Sequence, residues 1–259
     1  MIKKEFVEER RVGIVQHINN KRRASVSELA EKFDVTEVTI RRDLILLEDQ
    51  KQLIRTHGGA MSNLDRSVWQ ITNLSSRLEN STEEKRRIAT YVASLVKDGE
   101  SIFIDSGSTT LLVAQGLLNR HRLMIVTNSP SIAQTLAGIN ENKVIITGGE
   151  FEKTTDSIKG STCESNLQQY RTDRAIIGIS GIIIPDGYFA AEPEEGAIKR
   201  IMTENANYSI CVSDSTKLGT TAFAFVQNLR SIDLLVTDIN LSEEEKKSLQ
   251  NYGSNVVTV

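Results

Sequence analysis

The feature that most constrains this chain is an alternation that starts near residue 81 and runs to residue 259. Apolar runs rich in Ile and Val recur as SIFID, LMIVT, KVIIT, RAIIGIS, YSICVS, DLLVTD and NVVTV. Between several of them lie segments with helical apolar spacing, LLVAQGLL, SIAQTLAGI, EEGAIKRIMTENA and SEEEKKSLQNY. Short apolar runs alternating with amphipathic ones indicate an α/β domain built on a mainly parallel sheet. Ser81 followed by Glu84 reads as a capping box, opening a helix whose buried face is Ile88, Ala89, Val92, Leu95 and Val96. No internal repeat at a fixed period accompanies the alternation.

At 259 residues the chain has room for roughly two domains. A hydrophobic content of 39% with 25% charged residues and only three prolines excludes a disordered or fibrous chain. The opening MIKKEFVEERR lacks a signal peptide's apolar core, and no stretch approaches the roughly 20 apolar residues of a membrane span, so a cytoplasmic protein without a membrane partner is expected. Cys163 and Cys211 stand alone, without CxxC spacing or nearby histidines, which argues against a disulfide framework and a zinc site. Neither a metal nor a cofactor is expected. The net charge of −3 hides an asymmetry, because residues 1–60 carry 12 Lys and Arg against 10 Asp and Glu. A mildly basic head thus precedes an acidic body.

That head reads as three helices and a hairpin. FVEERRVGIVQHIN places Phe6, Val7, Val12, Ile14, Val15 and Ile18 at mixed helical spacings. SVSELAEKF opens a second helix, with Ser27 available to cap it and Leu29, Ala30 and Phe33 on its apolar face. After a tight turn at Asp34-Val35-Thr36, EVTIRRDLILLEDQ continues as a third helix capped by Thr36. Two short helices joined by a short turn form a helix-turn-helix signature. At about 100° per residue, Ile40, Leu44 and Leu47 form an inner stripe. Arg42 falls nearly opposite, beside Val38 and Ile45, with Arg41 and Thr39 on the flanks. An arginine on such a face can pair with guanine O6 and N7 in the major groove of double-stranded DNA, and a threonine can reach a base edge or a phosphate. QLIRTHGGAM then reads as a small wing turning at Gly58-Gly59, with Arg55 and His57 placed for backbone phosphate. Residues 62–80, polar apart from Val68, Trp69 and Ile71, read as a connection, giving domains at 1–61 and 81–259.

In open α/β sheets ligands collect at the carboxyl ends of the strands. The residues that follow each apolar run are therefore candidates. They are Asp105, Ser106, Gly107, Ser108, Thr109 and Thr110, then Thr127, Asn128 and Ser129, then Thr147, Gly148 and Gly149, then Ser180-Gly181, and last Asp214-Ser215-Thr216-Lys217. Glycine allows close backbone approach, while hydroxyls and free amides at a helix start can donate to phosphate oxygens. Lys217 supplies a cation, and Asp105, Asp214 and Glu195 can accept from sugar hydroxyls. Singly, GST is a common helix start, TNS an ordinary cap and DSTK an ordinary surface turn. Their gathering at one sheet edge favours a phosphorylated polyol.

Two sets of motifs carry a family resemblance. SVSELAEKFDVTEVTIRRDLILLEDQKQLIRTHGGA resembles the winged helix-turn-helix of the DeoR family of bacterial sugar-metabolism regulators, whose hallmark is the TIRRDL run at 39–44. From about Arg77 to Asp238 the chain resembles that family's sensor domain, in its RLEN–EEK–IA lead-in, DSGSTT, TNS, TGG, the Glu195…Lys199 pairing and the DSTK–LVTD region. The resemblance implies a sensor fold similar to ribose-5-phosphate isomerase and a phosphorylated sugar as effector. It also implies operator DNA as partner and, most often in the family, repression of carbohydrate genes. Gly196 stands where many members have alanine, and Lys153 and Lys159 where an arginine is frequent.

A phosphosugar isomerase carrying an appended DNA-binding head is the competing reading. Enediol chemistry needs a placed general base and oxyanion stabilisation. Asp105, Asp214 and Glu195 are carboxylates, yet the DGADE-like and KGGG-like loops of the isomerases are absent. A nucleotide-binding switch is weaker still, for there is no GxxxxGK[ST] segment. Since one recognition helix reads only a short half-site, a homo-oligomer, dimer or tetramer, is expected.

Overall fold

A computed structural model describes residues 2–21, 23–50, 52–56, 58–62 and 73–259, and the chain divides into two compact units, Met1–Val68 and Trp69–Val259. His57 and Trp69, both singled out in the sequence, lie outside the described residues.

The first unit contains α1 (Ile2–Lys21), β1 (Arg23–Ser25), α2 (Val26–Lys32), α3 (Glu37–Asp49), β2 (Leu53–Thr56) and β3 (Gly59–Ser62). Ile14 and Ile18 of α1, Leu29 of α2, and Ile40, Leu44 and Leu47 of α3 meet in one buried cluster. Val12 does not join them and is 54% exposed. It precedes Ile14 by two residues, about 200° around the helix, and so faces away. Ser25, not Ser27, caps α2, its hydroxyl accepting from the Glu28 amide at 3.1 Å. The cap falls there because Ala24 and Ser25 are held as a strand opposite Ala60 and Gly59, so the chain leaves the sheet directly into the helix. The order β1-β3-β2 adds to the expected wing a strand with no sequence signal. Glycine at 59 makes it possible, since a Cβ there would lie 2.1 Å from the Ala24 carbonyl oxygen.

The second unit runs α4 (Leu74–Glu79), α5 (Thr82–Leu95), β4 (Ser101–Ile104), α6 (Ser108–Gly116), β5 (Met124–Thr127), α7 (Pro130–Leu136) and β6 (Lys143–Ile146). It continues through β7 (Glu150–Glu152), β8 (Ser157–Lys159), α8 (Ser161–Leu167), β9 (Thr172–Gly178), β10 (Gly181–Ile183), β11 (Gly187–Ala190) and α9 (Pro193–Glu204). It ends with β12 (Ala206–Val212), β13 (Ala224–Gln227), β14 (Leu234–Thr237), α10 (Glu243–Asn251) and β15 (Val256–Thr258). The seven apolar runs are the seven strands of one sheet, ordered β15-β14-β12-β9-β4-β5-β6, with every neighbouring pair parallel. Successive residues of a strand face opposite sides. Ile102 and Ile104 accordingly join the core with α5, α6 and α7, while Phe103 joins the core on the other side with α8 and α9. The small antiparallel sheet β10-β11-β13 contributes to that second core through Tyr188, Ala224 and Val226. From β4 the chain winds outward to β5 and β6, then returns to β9 and continues the other way. The winding reverses between β4 and β9, the place where such sheets open a crevice.

Two local readings are corrected. Ser81 forms no capping box; its φ is +51° and its side chain makes no cap hydrogen bond. Because α4 ends immediately before it, the chain must reverse there, and the Lys85 ammonium instead donates to the carbonyls of Arg77 (2.5 Å) and Asn80 (2.7 Å). The capping box lies on α10, where Ser242 accepts from the Glu245 amide and the Ser242 amide donates back to the Glu245 carboxylate. Leu95 is only half-buried, and Ala93 takes its place in the core. Cys163 and Cys211 are buried free thiols. Among the described residues no helix is long and apolar enough to cross a membrane, and no cluster suits a metal.

Candidate functional site

In the first unit the TIRRDL run divides its labour. Asp43 is buried, and its two oxygens accept from Arg10 Nε at 2.8 Å and Arg11 Nε at 2.9 Å. The acid thus ties α1 to α3 and is turned away from the outer face. Arg41 and Arg42 stay exposed there with Val38 and Ile45. Arg41 donates to Glu37 one turn back at 2.9 Å, an exposed pair worth a few tenths of a kcal/mol and easily exchanged for a phosphate or a base. Thr36 accepts from the Thr39 amide at 3.3 Å, and their hydroxyls share a hydrogen bond, so both threonines fix the start of α3. Glu48 accepts from the Arg55 amide at 3.0 Å and lies 3.7 Å from its guanidinium, holding the wing strand against the helix.

In the second unit, α6 starts directly at the end of β4. The Ser106 amide donates to Asn128 Oδ1 at 3.0 Å, and the Thr110 hydroxyl donates to the Gly107 carbonyl at 3.0 Å, so the DSGSTT turn is braced from both ends. The first amides of a helix have no intrahelical partner. Among the described residues the hydroxyls of Ser108 and Thr109 also make no hydrogen bond, leaving donors unspent at this turn. Below it Asp105 is buried, with Oδ2 accepting from Lys199 Nζ at 2.5 Å and from the Gly178 amide at 3.2 Å. Its Oδ1 is buried without a partner among the described residues. Burial pushes the Asp105 carboxyl upward, while Lys199 opposes the shift and Glu195 adds to it.

The other strand ends serve differently. Thr127 donates to the Ile104 carbonyl at 2.6 Å, Asn128 clasps Ser106 and the Ile158 carbonyl, and Ser129 donates to Asp156 at 2.7 Å. These three residues spend their groups on the crevice wall. Gly148 donates to Asn166, and a Cβ at Gly149 would lie 2.4 Å from the Lys159 carbonyl, so the glycine pair lets the β7–β8 hairpin pass over the sheet edge. Asp214 is buried at the end of β12, accepting from the Thr216 hydroxyl, and Asp238 holds the same loop by accepting from the Ser215 amide at 2.7 Å.

The charged groups that the sequence singled out near these ends take partners it did not show. Lys199 pairs with Asp105 rather than with Glu195, which lies 3.9 Å from Lys159. Lys159 also donates to Glu192, and Lys153 is exposed on the hairpin turn. On the other flank, burial chiefly, with Lys217 and Arg77 adding, lowers the Lys85 ammonium to about 8 against the opposing pull of Asp214. Arg77 Nε is buried without a partner among the described residues.

A third helix that offers two arginines to solvent beside a wing is the architecture of a DNA-binding regulator, and the α/β unit has the reversal of winding at which sheets of this kind take small ligands. Residues 10–66 match the DeoR-like helix-turn-helix domain and residues 80–239 the DeoR C-terminal sensor domain. The chain belongs to the DeoR family of transcriptional regulators. It is 35% identical to the HTH-type transcriptional repressor GlcR of Bacillus subtilis (90% of this chain, 89% of that one). It is also 35% identical to the glycerol-3-phosphate regulon repressor of Escherichia coli (89% and 90%) and 31% identical to the transcriptional regulator GlpR of Haloferax volcanii (96% and 96%). Part of the chain overlays on the solved ribose 5-phosphate isomerase A of Methanocaldococcus jannaschii, with TM-score 0.40 and 21% identity over 53% of this chain and 54% of that one. With its family shown and with named repressors among its relatives, the chain is a DNA-binding transcriptional regulator and not an enzyme.

Proposed function

We propose that this regulator represses carbohydrate-utilisation genes in the cytoplasm, that it binds its operator as a homo-oligomer, and that a phosphorylated sugar releases it. Residues 1–61 form the DNA-binding head, 62–80 the connection and 81–259 the sensor. Arg41 and Arg42 read bases, while Thr36, Thr39, Arg55 and His57 contact the phosphate backbone. The effector lies against Asp105–Thr110, with Gly148, Gly149, Thr127, Asn128 and Ser129 framing the crevice and Glu195, Asp214 and Lys217 completing it. The observation that carries this reading is that the Ser108 and Thr109 hydroxyls at the start of α6 are unspent among the described residues, beside the point where the sheet's winding reverses. That the Escherichia coli relative is a glycerol-3-phosphate regulon repressor supports an effector of this class.

An effector weakens DNA binding only if it binds better to the DNA-incompetent state, and couplings of about 1–3 kcal/mol are typical. A panel of sugar phosphates titrated into the operator complex is expected to contain one that releases the DNA. Thr109→Val is expected to stay on DNA at that concentration. Release of the variant at the wild-type effector concentration would remove the DSGSTT turn from the reading.

A further inference from the structure

The β7–β8 hairpin pairs with no other strand among the described residues. A lone two-stranded hairpin is marginally stable at best, so its ties to neighbouring loops fix where it lies. Gly149 (φ +135°) and Gly160 (φ +88°) bracket it, at backbone angles that favour glycine. Its main support is the loop between β5 and α7. The Asn128 carbonyl accepts from the Ile158 amide at 2.7 Å, and Asn128 Nδ2 donates to the Ile158 carbonyl at 3.3 Å. Asp156, at the hairpin turn, accepts from the Ser129 hydroxyl at 2.7 Å and the Ser131 amide at 3.1 Å. The same loop holds the DSGSTT turn, because Asn128 Oδ1 accepts from the Ser106 amide at 3.0 Å. At its far end the hairpin reaches α4, where the Thr154 carbonyl accepts from the Leu74 amide at 3.0 Å. Leu74 is the first residue of α4, so its amide has no partner within the helix. There the chain arriving from the DNA-binding head enters the second unit.

We propose that the β7–β8 hairpin is a strap that couples the DSGSTT turn to α4, and that an anionic effector releases α4 by taking the Ser106 amide from Asn128. The proposal rests on the reading of Asp105–Thr110 as the effector turn, and adds the route by which occupation of that turn reaches the DNA-binding head. A charged oxygen is a stronger acceptor than an amide oxygen, so the exchange at Ser106 favours the anion. Without Ser106 as anchor, the β5–α7 loop and the hairpin shift together on Gly149 and Gly160, and the Thr154 carbonyl leaves Leu74. The effector then binds the released arrangement better, which linkage requires of a ligand that loosens the grip on DNA.

Hydrogen exchange of single amides in the full chain, with and without inorganic phosphate, tests this. Phosphate is expected to slow exchange at Gly107, Ser108 and Thr109 and to speed it about threefold to tenfold at Leu74, the loss of one hydrogen bond. The Ile158 amide, which travels with its partner Asn128, is expected to keep its rate. Asp156→Gly suits the positive φ of that position and unhooks the turn from α7. In this variant phosphate is expected to protect the DSGSTT turn as before and to leave Leu74 unchanged. Leu74→Pro removes the amide itself, and Leu74→Ala keeps it while removing the side chain. Proline suits the position, since Asn73 has a ψ of 140° and a first helical residue needs no N–H. Leu74→Pro is expected to bind phosphate about threefold to tenfold more tightly than Leu74→Ala, because the closed strap no longer competes. Damage to the fold alone would weaken binding instead. The strap is overturned, and the effector turn stands, if phosphate protects Gly107–Thr109 with Leu74 unchanged, if Leu74 and Ile158 speed up together, or if the two Leu74 variants bind alike. Failure of phosphate and of every sugar phosphate to protect the turn removes the effector reading, and the strap with it.

Discussion

Asp43 is buried on α3, away from the exposed face that carries Arg41 and Arg42. Its two arginine partners come from α1, so deleting the carboxylate removes the buried tie between α1 and α3 and frees α3 to shift. Breaking a buried pair by removing one partner costs about 3–5 kcal/mol, and partial exposure of the arginines lowers this to about 2 kcal/mol for Asp43→Ala. Hydrogen exchange of the α3 amides in the full chain measures that loss, and operator affinity is expected to fall with it. Lys85 yields a pH prediction. Its ammonium titrates at about 8 in the folded chain, below the value of about 10.4 for a free lysine. Between those two values the unfolded chain binds more protons, so the ligand-free sensor unit gains stability as pH rises from about 8 toward 10. Urea unfolding across that range is expected to show this gain in wild type and to lose it in Lys85→Met.

At the scale of elements, caps and strand pairings decide where helices begin. Ser25→Ala is expected to destabilise the first unit by about 1 kcal/mol, whereas Ser27→Ala leaves the Glu28 amide bonded and costs much less; thermal unfolding of the two variants separates them. Sequence alone favoured Ser27 because the apolar rhythm of α2 begins beside it. The pairing of β1 with β3 moves the start to Val26, and that pairing depends on Gly59, 34 residues away from Ser25 in the chain. The same contrast runs through the sheets. All seven parallel strands were legible: the inner ones are covered on both faces and so apolar along their length, and the part-exposed edge strand β6 still reads as the apolar run KVII. The three- and four-residue strands β7, β8, β10, β11 and β13 were not, because antiparallel partners define them and their own residues carry no period.

For the whole molecule, function consists of two binding reactions joined by linkage. Arg42→Ala is expected to weaken operator binding by about 1–3 kcal/mol and to leave effector affinity, measured without DNA, unchanged. A parallel loss of effector affinity in that variant would mean that the outer face of α3 does more than read DNA.

The sequence by itself determined the α/β class, the strand membership of the main sheet, the outward placement of Arg41 and Arg42, and the turn at Asp105–Thr110. Each of these follows from local periodicity, or from the chemistry of a turn that directly follows a strand. Only the tertiary structure decided which charges meet. Lys199 reaches Asp105 from 94 residues away, Lys159 reaches Glu192 across 33, and Lys85 joins Lys217 because α5 begins on the edge where β12 ends. It also assigned Thr127, Asn128 and Ser129 to the crevice wall, where their hydrogen bonds stay within the protein. Electrostatic contacts depend on distance in space, and the order of strands in the sheet, which no single segment encodes, sets that distance.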